Sequence, residues 1–599
     1  MADIGPDGLW LAARLEANPL QCRAERVRHR ADTIYQLTMG GRVIAIQTGF
    51  AMLEAAYGRP IDASSIMMKN SMDLVLGVFA YYFLGWWLSF GHDAMWVEEN
   101  AFDFALWFLQ FSYATTAGTI NSGALAGRVS FVAYLILSIL LTGVIYPVCV
   151  HWVWGGGWLS SLGFVDFAGS SLVHMVGATS ALVSVCMCGP RIGRYPNYQC
   201  WSGLWRYVFS ERNDSSWYQY PKSELERAVY TPIKACNNPV QCLFGTFLLL
   251  TGFLAFNPAS TLNTTYDTDL TAARTTVTTL IAASGGAVSS MMWSLIARQN
   301  LKLRVPEMTN SVLGGLVASC ACCHVVPPLF MAMVGFVGGL LTSVTAPIMD
   351  RFQLDDTVGA VSVHGPPAIW GVLCVALFAQ PNCQSDIRGL FFGGGEAAWI
   401  LLLVQICGIV SLAAFAAAAT WVSVSVIDLV IGFRCHRAHE IIGLDFTEHE
   451  IDNDSLRHDA KERLLRKPAT PTEDGENLGS SEAPPDSVEG SAGLDSDPST
   501  VALDEACERV GSSTEQKHAA GHGRGSAEEH NCLKQEVAQL KEDVLELVGA
   551  ISHLARDLRE ETSSAQGLNI IGAGMDWRYH GQNREHALQQ LMQEAGSAR

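Results

Sequence analysis

Apolar residues gather into long runs through the first 433 positions, separated by short polar joints. Eleven stretches read as membrane helices, at about 33–55, 66–90, 104–126, 130–153, 167–188, 240–256, 273–297, 309–326, 328–349, 358–379 and 397–432. A helix needs about 20 apolar residues to cross a hydrocarbon core about 30 Å thick. The fourth, fifth and eleventh read most plainly. The eighth is short and rich in Gly, Ala and Cys. The pattern predicts an all-α integral membrane protein with eleven transmembrane helices.

The runs also divide into two related halves. Asp166-Phe-Ala-Gly169-Ser-Ser-Leu-Val173-His174 and Asp356-Thr-Val-Gly359-Ala-Val-Ser-Val363-His364 share Asp, Gly, Val and His at the same four positions. They open the fifth and tenth runs. Five helices per half reverse the sense of the second half, so the pattern predicts a five-plus-five inverted repeat with a site at its interface. With each Asp at a helix start, its His lies eight residues deeper, roughly 12 Å along a helix and close to the bilayer midplane. Ionisable residues at that depth are costly and mark function.

Basic residues set the expected orientation. Arg128, Arg191, Arg194, Arg298, Lys302, Arg304, Arg351, Arg434 and Arg437 fall in loops on one side, which is read as cytoplasmic. The C-terminus is then cytoplasmic and residues 1–32 are outside, although Arg23, Arg26, Arg28 and Arg30 run against the rule. That segment has no apolar core of a signal peptide. The triplet Asn263-Thr-Thr265 falls outside and forms a permissible glycosylation sequon. Arg42 sits within the first apolar run and must snorkel or pair with a carboxylate such as Glu54 or Asp73.

Composition changes this picture only after residue 433. The net charge of −19 comes largely from the tail. Residues 465–530, rich in Ser, Gly, Pro, Glu and Asp, read as a disordered linker, and 561–599 as a disordered end. Between them, in 531–560, Leu533, Val537, Leu540, Val544, Leu547, Ile551, Leu554 and Leu558 alternate spacings of four and three. That seam predicts a coiled coil of two strands, or a lone amphipathic helix against another surface. The loop 190–237 carries Trp201, Trp205 and Trp217 with no evident chemistry. The Cys residues lack zinc-type spacing, and Cys320, Cys322 and Cys323 read as buried thiols. Cys22 and Cys383 share the outer side, where a disulfide would be compatible but is not indicated by spacing.

A lone membrane histidine is often a satisfied core residue. A pair related by a repeat points instead to a pore or proton relay. Neutral imidazole offers one donor and one acceptor, so two facing rings can share a proton and still meet a small neutral passenger. Asp166 and Asp356 read as helix-start caps or buried organisers rather than metal ligands.

Several segments resemble the ammonium transporter family (Amt/Mep/Rh), in its Amt branch. They are Gln47-Thr-Gly-Phe-Ala-Met-Leu-Glu54, Lys69-Asn70, Trp154-Gly-Gly-Gly-Trp158, Asp166 to Gly169 with His174, Gly252-Phe-Leu-Ala-Phe256-Asn257-Pro-Ala-Ser260, Asp355 to Gly365 and Gly443-Leu-Asp445-Phe-Thr-Glu-His449. They occur in the family's order from about 33 to 450. The resemblance implies a homotrimer with one central pore per subunit in a transmembrane domain at 33–433. It implies that Trp154 and Ser260 form an outer recruitment site for ammonium, and that Phe256 is one gate ring. Tyr113 takes the place of the other ring, normally Phe. Phe253 stands where bacterial relatives often have Trp. Asp166 would organise the recruitment site, and His174 and His364 would be the twin pore histidines. The tail segment within 434–464 resembles one through which relatives contact a neighbouring subunit, and Thr447 lies in it as a candidate regulatory residue. After His449 the chain loses the family's usual Gly and aromatic ending.

The expected function is therefore an ammonium transporter rather than an enzyme. The cation would bind outside, lose its proton near the gate and cross mainly as ammonia, the proton being left outside or following through the imidazoles, with methylammonium as an analogue. No cofactor, resident metal or nucleic-acid partner is expected. The coiled coil would engage another subunit or a foreign partner, and the membrane would be the plasma membrane. An ammonium sensor signalling through the tail is the alternative. A membrane metalloenzyme and a water or gas channel fit the Asp-His spacing and the recruitment residues less well.

Overall fold

The structure, a computed structural model, describes residues 19–91, 101–195, 233, 235–262, 266–299, 302–382 and 385–451. The linker, the heptad segment, the last residues, the Asn263 triplet, Cys383 and the three loop tryptophans lie outside them. Among the described residues the long helices are α1 (Pro19–Tyr57), α2 (63–90), α3 (Ala101–Leu125), α4 (131–153), α5 (Ser170–Cys188), α6 (Pro239–Ala259), α7 (Tyr266–Arg298), α8 (Val305–Ser319), α9 (Pro328–Arg351), α10 (Ala360–Phe378) and α11 (Gly395–Val430). Two short tail helices follow, α12 (Arg437–Ile442) and α13 (Leu444–His449). Among the described residues, eight helices are long and apolar enough to cross a membrane: all of α1–α11 except α1, α3 and α8.

Differences from the apolar runs have local causes. The first helix begins at Pro19, well before residue 33, because a helix continues into water without needing an apolar surface. The eighth run leaves the helix after Ser319, and its last residues form a buried turn. There the Cys320 and Ala321 carbonyls, released from the helix ladder, accept N–H groups from Ala168 and Phe167. Cys320, Cys322 and Cys323 are buried free thiols.

Packing repeats with an offset of five. Helix α1 lies along α6. The contact of α3 with α5 recurs between α8 and α10, and that of α2 with α3 recurs between α7 and α8. At the centre, α5 and α10 pack against each other and run in opposite senses. Arg191, just past the end of α5, binds Asp355, just before the start of α10, with N–O distances of 2.8 Å.

That junction is a buried ionic cluster at the face of the molecule where the tail docks. Arg128 donates to the Asp355 carbonyl and to Thr357, and Arg194 approaches the Asp355 carboxylate. Burial pushes the Asp355 carboxyl up, but Arg191, Arg128 and Arg194 outweigh it and hold the group well below the usual carboxylate range. Arg434 pairs with Glu440 at 2.6 Å and donates to the carbonyls of Cys188 and Pro190. Three arginines that marked the basic side in the sequence, Arg128, Arg191 and Arg434, thus act as buried fasteners. Arg42 pairs with neither Glu54 nor Asp73. It lies on the exposed surface of α1. Asp73 instead accepts the Tyr134 hydroxyl.

Candidate functional site

The two matched segments build the centre of the molecule in the same way. Gly169 and Gly359 sit at φ 90° and 83°, a left-handed conformation that suits glycine, and each turns the chain into its helix. Asp166 Oδ1 accepts the N–H groups of Gly169 and Ser170, and Oδ2 accepts those of Ser171 and Leu172 and the Ser171 hydroxyl. Asp356 accepts from Gly359, Ala360 and Val361. Both aspartates are therefore caps, which satisfy the N–H groups that a helix start leaves open.

The helical depth expected for the histidines is corrected by this geometry. Residues 166–169 and 356–359 are turns, so His174 and His364 are each the fifth residue of their helices. A π-turn over Ser170–Met175 opens α5, and a break at Gly365 follows His364 in α10. Both rings are buried. Their Nδ1 atoms stand 3.2 Å apart and the rings are inclined by 15°. Two residues 190 positions apart thus meet as one unit. The contact makes one Nδ1 a donor and the other an acceptor. One outer Nε2 is then a bare acceptor and the other carries a proton. His174 Nε2 has no hydrogen-bond partner among the described residues.

Aromatic rings stack outward from this pair. Phe253 lies nearly parallel to His174 at 5.4 Å between centroids, and Phe256 stands 5.6 Å from it. Tyr113 meets Phe256 edge-on at 4.5 Å and Trp154 at 5.9 Å. The Tyr113 hydroxyl donates to the Phe256 carbonyl at 2.9 Å and lies 3.3 Å from Ser260 Oγ. The extra oxygen that distinguishes Tyr from Phe here ties α3 to the end of α6 instead of standing free in the passage. Trp154 and Ser260 are half-buried. The indole Nε1 donates to the Asp166 carbonyl at 2.8 Å, so the loop that caps α5 also orients the tryptophan. On the other side of the pair, Phe50 stands 6.0 Å from His364.

Trp154, Ser260, Tyr113, Phe256, His174 and His364 therefore belong to one column of side chains, and Asp166 joins it through its backbone carbonyl while its carboxylate caps α5. Thr447 does not. It lies in α13 on the tail face and donates to the Gly443 carbonyl. Sequence reasoning missed the ring stacking of Phe253 on His174, and it read Glu54 only as part of a motif and as a possible partner for Arg42, not as a residue beside His364. Phe253 meets a residue of α5, and Glu54 meets Ser122 of α3, both distant in the sequence.

The sequence matches the Ammonium Transporter Family over residues 35–201 and 217–453. The chain belongs to that family. The ammonium transporter Amt2 of Archaeoglobus fulgidus is 31% identical over 468 residues, which cover 74% of this chain and 92% of that protein. An ammonium transporter (1 member 1) of Arabidopsis thaliana is 30% identical over 469 residues, covering 71% of this chain and 87% of that protein. Among solved structures, a sensor Amt protein superposes with a TM-score of 0.60 at 24% identity, covering 71% of this chain and all of that one. Mep2 of Candida albicans gives 0.57 at 20% identity, covering 74% and 93%. These structures share the fold of this ammonium transporter family member.

Proposed function

We propose that this chain moves ammonium across a membrane by binding NH4+ at Trp154 and Ser260 and passing neutral ammonia along His174 and His364. The observation that carries this reading is the 3.2 Å contact between the two histidines beneath a column of aromatic rings. A bare ammonium ion is very costly to desolvate, whereas ammonia is not. The half-buried indole of Trp154 offers a π face worth about 0.5–2 kcal/mol to a cation, and Ser260 offers an acceptor oxygen. Past Tyr113 and Phe256 the walls are apolar, so the ion gives up its proton there, and that proton either returns to the outer water or follows through the imidazole pair. The imidazole pair then presents one acceptor Nε2 and one Nε2–H, matching the donors and lone pair of NH3. Labelled methylammonium uptake, in cells lacking their own ammonium carriers, tests the assignment. Replacing both His174 and His364 by Ala is expected to abolish selective uptake, and fully retained selectivity would overturn it.

The same reading includes the assembly. We propose that α1, α3 and α8 cross the membrane with the eight more apolar helices, giving eleven spans. The buried contacts of these three helices with α6, α5 and α10 support that count. The tail face is cytoplasmic, the N-terminus is outside, and the plasma membrane is the host. The subunits form a homotrimer. The seam at 531–560 favours two strands by its heptad residues, which is at odds with threefold symmetry, so a foreign partner is its expected ligand. Cross-linking the isolated 530–560 peptide reports its strand number, and trimers would assign the seam to the subunits themselves.

A further inference from the structure

On the tail side of the histidine pair, a pocket begins at His364 and ends at Glu54, with Phe50, Thr119, Gly123 and Val358 among its walls. It has room for a molecule about the size of water. Glu54 is 1% exposed. Its Oε2 accepts from Asn70 Nδ2 and Ser122 Oγ, both at 2.8 Å. Its Oε1 is buried and accepts no hydrogen bond among the described residues. Neither donor to this carboxylate is charged. Lys69, one position before Asn70, is directed to the Val129 carbonyl and to Glu448. Arg42 is on the outer surface of its helix.

Gly123 keeps the space before Oε1 open. A Cβ there would stand 3.4 Å from Oε1 and 2.6 Å from Val358 Cγ2. A buried acidic group with one oxygen held by neutral donors, and the other free toward a water-sized space, lacks the counter-charge that such groups ordinarily have. A small hydrogen-bond donor fits this space, and one that carries positive charge would hold the carboxyl ionised where burial alone favours its neutral form.

We propose that this pocket is a second ammonium site, at the opposite end of the passage from Trp154, with Glu54 Oε1 as its acceptor. The site rests on the transport reading and extends it. A cation at Trp154 is held by a π face and a hydroxyl, whereas one at Glu54 is held by a charge-assisted hydrogen bond. The two mouths therefore saturate independently.

The test uses the full chain in right-side-out and inside-out membrane vesicles, with labelled methylammonium offered to one face at a time. Glu54→Gln should raise the half-saturating concentration at the tail face by about tenfold or more, the loss expected for one hydrogen bond to a charged group. The value at the Trp154 face should stay unchanged. Equal shifts at both faces, or no shift at either, would overturn the site. If Glu54→Gln does not reach the membrane, Gly123→Ala leaves the carboxyl in place and fills the space before it, and the same one-sided shift is expected. Absence of flux in the unaltered protein would overturn the transport reading itself, and the site with it.

Discussion

At the scale of single residues, Tyr113 shows how one atom changes a role. Its ring packs edge-on to Phe256 as a phenylalanine would, but its hydroxyl closes a bond to the Phe256 carbonyl and reaches Ser260. Tyr113→Phe keeps the ring and removes that link between α3 and α6. A buried neutral hydrogen bond contributes about 0.5–1.5 kcal/mol, so the variant should unfold at a slightly lower temperature in detergent. Ser260 Oγ would also lose its nearest hydroxyl and become freer to accept from a cation. Methylammonium uptake by Tyr113→Phe should therefore half-saturate at the same concentration or a lower one. A large increase would show that the tyrosine hydroxyl itself contacts the passenger.

At the scale of elements, the paired helix starts set the geometry of the centre. Asp166 accepts four backbone N–H groups and a hydroxyl, and Asp356 accepts three N–H groups. Removing such a cap leaves buried donors unmet at about 1–3 kcal/mol each. Asp166→Ala should lower thermal stability more than Asp356→Ala, and should loosen the half-saturation set by Trp154, because the Asp166 loop holds the indole. Equal losses in the two variants would mean that the caps are not what the helix starts depend on. The apolar runs made most of these elements legible, since membrane burial writes helix length directly into hydropathy. They failed where a helix leaves lipid or where an apolar stretch is not helical, as at Pro19 and at Cys320–Val326. The repeat of Asp, Gly and His revealed the pair but not its depth, because the turns at Gly169 and Gly359 consume half of the spacing. The resemblance supplied the column of site residues. The free oxygen of Glu54 depends on what α2, α3 and α10 bring to it, and no spacing within α1 records that.

At the scale of the whole molecule, the tail closes one face. Asp445 accepts the N–H groups of Ser64 and Ser65 at the start of α2, and Asp62 accepts the N–H of Leu444. Glu448 takes the Phe131 N–H at the start of α4 and lies 3.5 Å from Lys69, while His449 packs edge-on against Phe131. Arg59 joins Asp62 and the Glu440 carbonyl. The segment thus seats on its own subunit, on the ends of α2 and α4. Helix α2 also carries Asn70, which holds Glu54, so the tail and the inner pocket share one rod. Thr447 stands between Asp445 and Glu448 in this seat, half-buried, with its hydroxyl spent on the Gly443 carbonyl. A phosphate there would add a charge of about −1.5 to −2 beside two carboxylates that already serve as acceptors. Repulsion would lift α13 from α2 and relax the Asn70 end of the pocket. Thr447→Asp should therefore cut methylammonium uptake several-fold at equal surface expression. Thr447→Ala, which loses only one local bond, should transport nearly as well as the unaltered chain. Unchanged uptake in Thr447→Asp would show that the seated tail does not govern the passage, and an equal loss in both variants would assign the effect to the hydroxyl rather than to charge.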